Sequence, residues 1–301
     1  MHTARINIFQ RTQRLWDTLH PYNAAQAMEL SQRFEAPAVA QAFNQTLADL
    51  GLGTIVVRGS TYSIERDPAP SAELIVHAGS LAELLSRQMN APFDPTRSLP
   101  FRPFVCEPTS ASGNQTIGLV YQHWPADSVS IRMVMRQWLL RLTAAAPEHT
   151  APFTLPEGGM LHHFGPGVAG WSIMQHACGL IGFASRMKRM RRLESPGATR
   201  GEVAVLQREF RPGLIDAVKC RARQANVTVG DVFTAALAEA AGKHGPNLPN
   251  EHRPDLAIGT IVDLRGRSAR VPENVFGLFL GFTTSTFARH ELPHFLSLIH
   301  I

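Results

Sequence analysis

Cysteine is scarce in this chain, and its scarcity closes off two kinds of chemistry. The three cysteines among 301 residues, Cys106, Cys178 and Cys220, stand far apart, so they supply neither a disulfide framework nor a Cys-x-x-Cys metal site. A reducing, cytosolic compartment is the expectation. Long hydrophobic runs are missing too. The one membrane-span candidate, Val168 to Ala184, is interrupted by Gln175 and His176 and falls short of the ~20 apolar residues of a spanning helix. The N-terminus, Met1 to Arg11, alternates polar and apolar residues and holds no apolar core of signal-peptide length. Charge is thinly spread: 29 basic residues against 24 acidic ones leave a formal +5, which favours anionic ligands without building a nucleic-acid surface. No Gly-x-Ser-x-Gly elbow occurs, which leaves a serine nucleophile without sequence support. Glycines 165, 167 and 170 follow no clear strand, so a phosphate loop is unsupported. His162, His163 and His176 lack matched ligand spacing, and no metal is expected.

What is present is enough apolar residue, 44% of the chain, to bury one large core or two medium ones. Ala24 to Leu30 leans apolar and reads as a first strand after the His20-Pro-Tyr-Asn23 turn. Pro37 opens a helix whose Val39, Phe43, Leu47 and Leu50 recur at helical spacing until Gly51 and Gly53 stop it. Thr54 to Arg58 and Thr61 to Ile64 flank Gly59-Ser60 as a hairpin. Ser80 caps a helix carrying Leu81, Leu84, Leu85 and Met89, and Pro92 and Pro95 break it. Arg102 to Cys106 and Gln115 to Gln122 read as strands, and Ile131, Val134, Met135, Trp138 and Leu142 as the buried face of a helix.

From Ala144 to Gly170 the composition shifts to Pro, Gly, Thr and His, the mark of a connection. The expected organisation is an N-terminal domain over 1–150, a linker over 151–202 and a second, partial domain over 203–301. In the linker, Trp171 to Arg192 joins an apolar stretch to the cations of Arg186-Met-Lys-Arg-Met-Arg-Arg192. A packed linker helix is the leading reading there, followed by a membrane-surface helix and then a span. The second unit starts near Val203. It shows a helix from Pro212, another capped by Thr228 and Asp231, and strands over Leu256 to Val262 and Val275 to Thr284, with Gly277 and Gly281 marking close backbone approaches. Two strands in about 100 residues make part of a domain.

The stretch with chemistry is Ile117-Gly-Leu-Val-Tyr-Gln-His-Trp-Pro-Ala-Asp-Ser128. A strand delivers His123 to a strand-loop-helix corner with Asp127 four residues on. From the residues alone two readings stand. His123 is a general base on a rigid rim, or it is a hydrogen-bonded histidine at a strand end with Asp127 or Ser128 as an ordinary helix cap.

The succession of Asn90-Ala-Pro-Phe-Asp94, Pro100-Phe-Arg-Pro-Phe104, Tyr121 to Ser128, Asn226 to Leu237 and Val262-Asp-Leu-Arg265 resembles the thioester-dependent acyltransferase superfamily of chloramphenicol acetyltransferase, peptide-synthetase condensation domains and wax ester synthase/diacylglycerol acyltransferases. The resemblance runs from about His20 to Thr284. The central element is similar to the family's His-His-x-x-x-Asp-Gly motif, with Gln122 in place of the first histidine and Ser128 in place of the glycine. It implies an α/β fold of two chloramphenicol-acetyltransferase-like domains around a channel, the second incomplete. His123 is then the catalytic base. Asp127 is a structural aspartate paired with an arginine, for which Arg265 is the candidate. Trp124, Ser128, Asn274 and Gly277 fall on the substrate side. The implied reaction moves an acyl group from coenzyme A or a carrier-protein phosphopantetheine to a hydroxyl or amine, with no bound cofactor. The implied partners are a thioester donor, an acceptor and an acyl carrier protein, with no nucleic acid and with peripheral membrane contact through 171–192 as an option. The alternative is a non-catalytic chain that binds an acyl carrier or lipid.

Overall fold

The computed structural model of the chain describes residues 3–107, 113–145, 151–156, 182–191, 201–244, 253–265 and 275–288. They fall into two compact units that do not follow chain order. The first takes the described residues of Met1–Gly165, Ala198–Gln207 and Arg265–Phe279; the second takes those of Pro166–Gly197, Arg208–Leu264 and Leu280–Ile301.

The first unit runs β1 (Thr3–Arg5), α1 (Ile8–Leu19), β2 (Asn23–Leu30), α2 (Ala36–Asp49), β3 (Thr54–Arg58), β4 (Thr61–Glu65), β5 (Ile75–Ala78), α3 (Leu81–Asn90), β6 (Arg97–Ser98), β7 (Phe101–Glu107), β8 (Gln115–Gln122) and α4 (Ser128–Leu142). Its main sheet has the order β2-β8-β7-β5, and a smaller sheet has the order β1-β4-β3-β6. Successive side chains of β8 serve opposite faces. Ile117, Leu119 and Tyr121 join Phe43 and Leu47 of α2 and Ile131 and Trp138 of α4. Val120 joins Phe104 and Leu84 of α3 on the other face. Helices cover this sheet on both sides, which is why β8 reads as a continuous apolar run. Each such side chain contributes about 1.5–3 kcal/mol by its burial. Trp138 packs edge-on against Phe43 at 4.8 Å, and its indole N–H donates to the Val39 carbonyl at 3.1 Å, tying α4 to α2.

The helices starting near Pro37, after Ser80 and at Ser128, and the hairpin around Gly59, form where the sequence predicts them. Helix α1 is the main addition. The Asn7 side chain accepts from the Gln10 N–H and the Gln10 side chain accepts from the Asn7 N–H, both at 2.9 Å, a reciprocal cap. The helix is inverted in polarity: Gln10 and Gln13 are buried while Ile8, Leu15 and Leu19 are exposed.

The second unit holds α5 (182–188), α6 (Leu214–Gln224), α7 (Val229–His244) and the antiparallel pair β9 (Leu256–Asp263) and β10 (Leu280–Phe287). Thr228 and Asp231 cap α7 through Asp231 N–H to Thr228 Oγ1 at 3.1 Å and Thr228 N–H to Asp231 Oδ2 at 2.9 Å. Ala235 and Ala238 of α7 pack on Ile258 and Phe287 of the two strands. Of the stretch from Trp171 to Arg192, residues 171–181 and 192 lie outside the described residues. Among those described, no helix is long and apolar enough to cross a membrane.

Two sequence expectations are corrected. The second unit does not begin at Val203, because that segment hydrogen-bonds to α3 of the first unit: Val203 N–H to Asn90 Oδ1 at 2.8 Å, Asn90 Nδ2 to the Val203 carbonyl at 2.7 Å, and Val205 N–H to Ser86 Oγ at 3.0 Å. The strand expected over Val275 to Thr284 is extended pairing only from Leu280. Val275 to Phe279 belongs to the first unit, where Phe276 N–H donates to the Thr154 carbonyl at 2.9 Å and the Phe276 ring enters the main core.

Candidate functional site

β8 ends at Gln122, whose N–H donates to the Pro100 carbonyl at 3.1 Å, and the chain turns at His123. The pairing of Asn23 with Gln122 brings Tyr22 beside His123. The two rings stack with centroids 5.5 Å apart and planes 28° apart, and the Tyr121 ring lies 5.8 Å away on a tilt. His123 is half-buried. Its Nδ1 is fully buried and is given no hydrogen bond by any other residue. Burial holds the imidazole pKa below its ordinary 6.5; the ring's own main-chain carbonyl and the Asp127 charge act the other way and are outweighed. The neutral imidazole is therefore the resting form at neutral pH.

Asp127 is the N-cap of α4 and is completely buried. Its Oδ1 accepts from the Ser130 N–H at 3.0 Å. Its Oδ2 accepts from Arg265 Nη1 at 2.5 Å and from the Phe279 N–H at 2.9 Å. Three donors thus occupy the carboxylate, as a buried charge requires. Ser130 extends the arrangement: its Oγ accepts from Arg265 Nη2 at 2.8 Å and lies 3.2 Å from the Gly277 carbonyl, to which it donates. The Gly277 carbonyl also accepts from the Asp127 N–H at 3.1 Å and from Arg265 Nη2 at 3.2 Å. The Arg265 guanidinium lies over the Phe279 ring, 4.9 Å from its centroid. A side chain at Gly277 would meet Phe279 at 2.9 Å and Pro156 at 3.0 Å. The 275–279 segment is in this way latched onto the start of α4.

The other sequence candidates are distributed differently. Trp124 is 3% exposed and packs edge-on to Tyr62 at 5.3 Å, in a cluster with Ala4 and Ile55 of the smaller sheet. Ser128 is exposed at the first turn of α4, and its carbonyl accepts from Gln26 Nε2 at 3.1 Å. Asn274 lies outside the described residues. Sequence reasoning missed Tyr22 and Ser130. The Asp127-x-x-Ser130 spacing was a usable cue to a cap; nothing local marks Tyr22, which strand register alone brings to His123.

No family model and no curated protein matches the sequence. Solved structures do match its fold. The first condensation domain of the calcium-dependent antibiotic synthetase aligns over 100% of this chain and 73% of its own, with a TM-score of 0.71 and 13% identity. This chain has the condensation-domain fold. The same fold is matched by the condensation domain of the Monacolin K polyketide synthase MokA, over 100% of this chain and 72% of that one, with a TM-score of 0.62 and 12% identity. It is matched again by the EpoB cyclization-docking bidomain from Sorangium cellulosum, over 99% and 62%, with a TM-score of 0.67 and 14% identity. Within this condensation fold, His123 stands between β8, an interior strand of the main sheet, and the helix that Asp127 caps.

Proposed function

We propose that the chain is an acyltransferase that moves an acyl group from a coenzyme A or carrier-protein thioester to a hydroxyl or amine, with His123 as general base. The carrying observation is the state of His123: half-buried, with a buried Nδ1 that no other residue hydrogen-bonds, and held neutral by burial. A neutral imidazole with one nitrogen enclosed offers the other, Nε2, to an acceptor. Stacking on Tyr22 fixes the ring plane. The condensation fold supports the same reading, since its solved members include domains of an antibiotic synthetase and a polyketide synthase.

In the proposed reaction Nε2 takes the proton of the acceptor as its oxygen or nitrogen attacks the thioester carbonyl. The tetrahedral intermediate collapses, the C–S bond breaks, and the imidazolium returns the proton to the leaving thiolate. Asp127 takes no part in this transfer, because Arg265, Ser130 and Phe279 occupy its oxygens. Its role is to hold the corner in shape.

The test is thiol release by the purified chain supplied with acyl-coenzyme A or acyl-phosphopantetheine and a panel of alcohols and amines. His123→Ala lowers turnover ~10²–10⁴-fold if the histidine is the base. Equal thiol release by the variant removes His123 from the chemistry, and thioester binding without any release favours the non-catalytic acyl-binding alternative.

A further inference from the structure

The first unit contains a cavity of about 400 Å³ that His123 does not line. Its wall is built by Arg11, Arg14 and Asp17 of α1, by Gln122 and Trp124, and by apolar groups of which Phe93 is the largest. Gln122, the last residue of β8, and Trp124, in the turn that follows, flank His123 in sequence. The cavity thus adjoins the same corner without sharing its histidine.

Its polar groups are donors in search of an acceptor. Gln122 is 4% exposed. Among the described residues its side chain has one partner, Ser98 Oγ, which donates to Oε1 at 3.4 Å. That leaves the amide Nε2 without a partner among the described residues, on a side chain that belongs to the cavity lining. Arg11 is exposed at the rim and forms no ion pair among the described residues. Arg14 is half-buried, lies over the Trp124 ring at 5.3 Å and donates Nη2 to the Pro95 carbonyl at 3.1 Å, which fixes the guanidinium in the wall. Burial lowers the Arg14 pKa. The one acid of the lining, Asp17, accepts from the Tyr22 N–H at 2.9 Å. Two guanidinium groups against one carboxylate leave the lining net positive, and a cavity of this size falls within the range of small-molecule sites.

We infer that this cavity binds a small organic carboxylate: the anionic head meets Arg11, Arg14 and the Gln122 amide, and an apolar body lies against Phe93 and Trp124. The inference stands independently of acyl transfer at His123, because it concerns other side chains and is read by binding.

The experiment is isothermal titration of the full chain with phenylacetate, hexanoate, neutral phenylacetamide and inorganic phosphate. Both carboxylates bind saturably at about millimolar Kd or tighter, as expected for ligands of roughly ten heavy atoms. Phenylacetamide binds at least about tenfold more weakly, the scale of one charge-assisted hydrogen bond. Phosphate, lacking the apolar body, is also weaker. Arg11→Gln, at an exposed position where folding is preserved, and Arg14→Lys each reduce carboxylate affinity. No saturable heat with either carboxylate overturns the proposal. So does equal binding of phenylacetamide or phosphate, and so does unchanged affinity in both arginine variants.

Discussion

Arg265 meets Asp127 from 138 positions away in sequence, with Nη1 2.5 Å from Oδ2. Neither partner is exposed enough for water to substitute for the other: the Asp127 side chain is 0% accessible and that of Arg265 11%. The pair joins the cap of α4 to the segment ending at Phe279. Its consequences are structural before they are chemical.

Removing one member leaves the other charge buried. Asp127→Asn is expected to lower stability by about 3–5 kcal/mol, the usual cost of breaking a buried pair from one side. Urea unfolding followed by far-UV circular dichroism measures it. The double variant Asp127→Asn/Arg265→Met costs less than the sum of the two single changes, since it leaves no orphaned charge. A wild-type midpoint for Asp127→Asn would show that the pair holds nothing together.

Ser130 carries a smaller share. Ser130→Ala deprives Arg265 Nη2 and the Gly277 carbonyl of a buried partner and should cost ~1–3 kcal/mol. The same unfolding assay reads this. Ser130→Thr, which keeps the hydroxyl, should retain more of the stability than Ser130→Ala.

The pH dependence follows from the direction of the His123 shift. The folded pKa lies below the ordinary 6.5, so between the two values the unfolded chain binds more protons than the folded one. The stability associated with neutral His123 is fully present above about pH 6.5 and is lost as pH falls toward the folded pKa. Replacing His123 by Gln should remove this part of the acid sensitivity. In a thiol-release assay the acidic limb of kcat/KM, which reports the free base, should have its midpoint below about 6.5. A midpoint above that value would contradict a base held neutral by burial.

Gly118 sits where β8 has no room for a side chain. A Cβ there would lie 2.3 Å from Phe104 Cζ and 2.6 Å from the Gln26 carbonyl oxygen, and Phe104 is fully buried. Gly118→Ala should destabilise by about 1–3 kcal/mol through overpacking. Adding Phe104→Leu removes the contact with the ring and leaves the one with the β2 carbonyl, so only partial recovery is expected in thermal unfolding.

Much of the first unit was legible because local signals and tertiary packing agree there. Val39, Phe43 and Leu47 recur at helical spacing and all three are buried. Gly59 takes φ of 61° in the turn that its composition suggested. Helix α1 carries two local marks, the Asn7/Gln10 cap and the helical spacing of Ile8, Leu15, Trp16 and Leu19; what the sequence does not show is that these apolar residues face out while Gln10 and Gln13 face in. The short strands β5 and β6 were missed because a few residues carry too little pattern.

The sequence by itself determined the run from Ile117 to Ser128 as strand, turn and helix, and so brought His123 and Asp127 to one corner: an apolar stretch followed by a polar cap has few other ways to fold. It also named Arg265 as a partner by resemblance. Only the tertiary structure decided that Val275 to Phe279 leaves the second unit and closes on Asp127 and Ser130, that Tyr22 stacks on His123, and that Trp124 turns into the core. These outcomes depend on strand register and on contacts between residues up to 152 positions apart. Local sequence carries no period or propensity for such contacts, because their free energy exists only once the chain has closed.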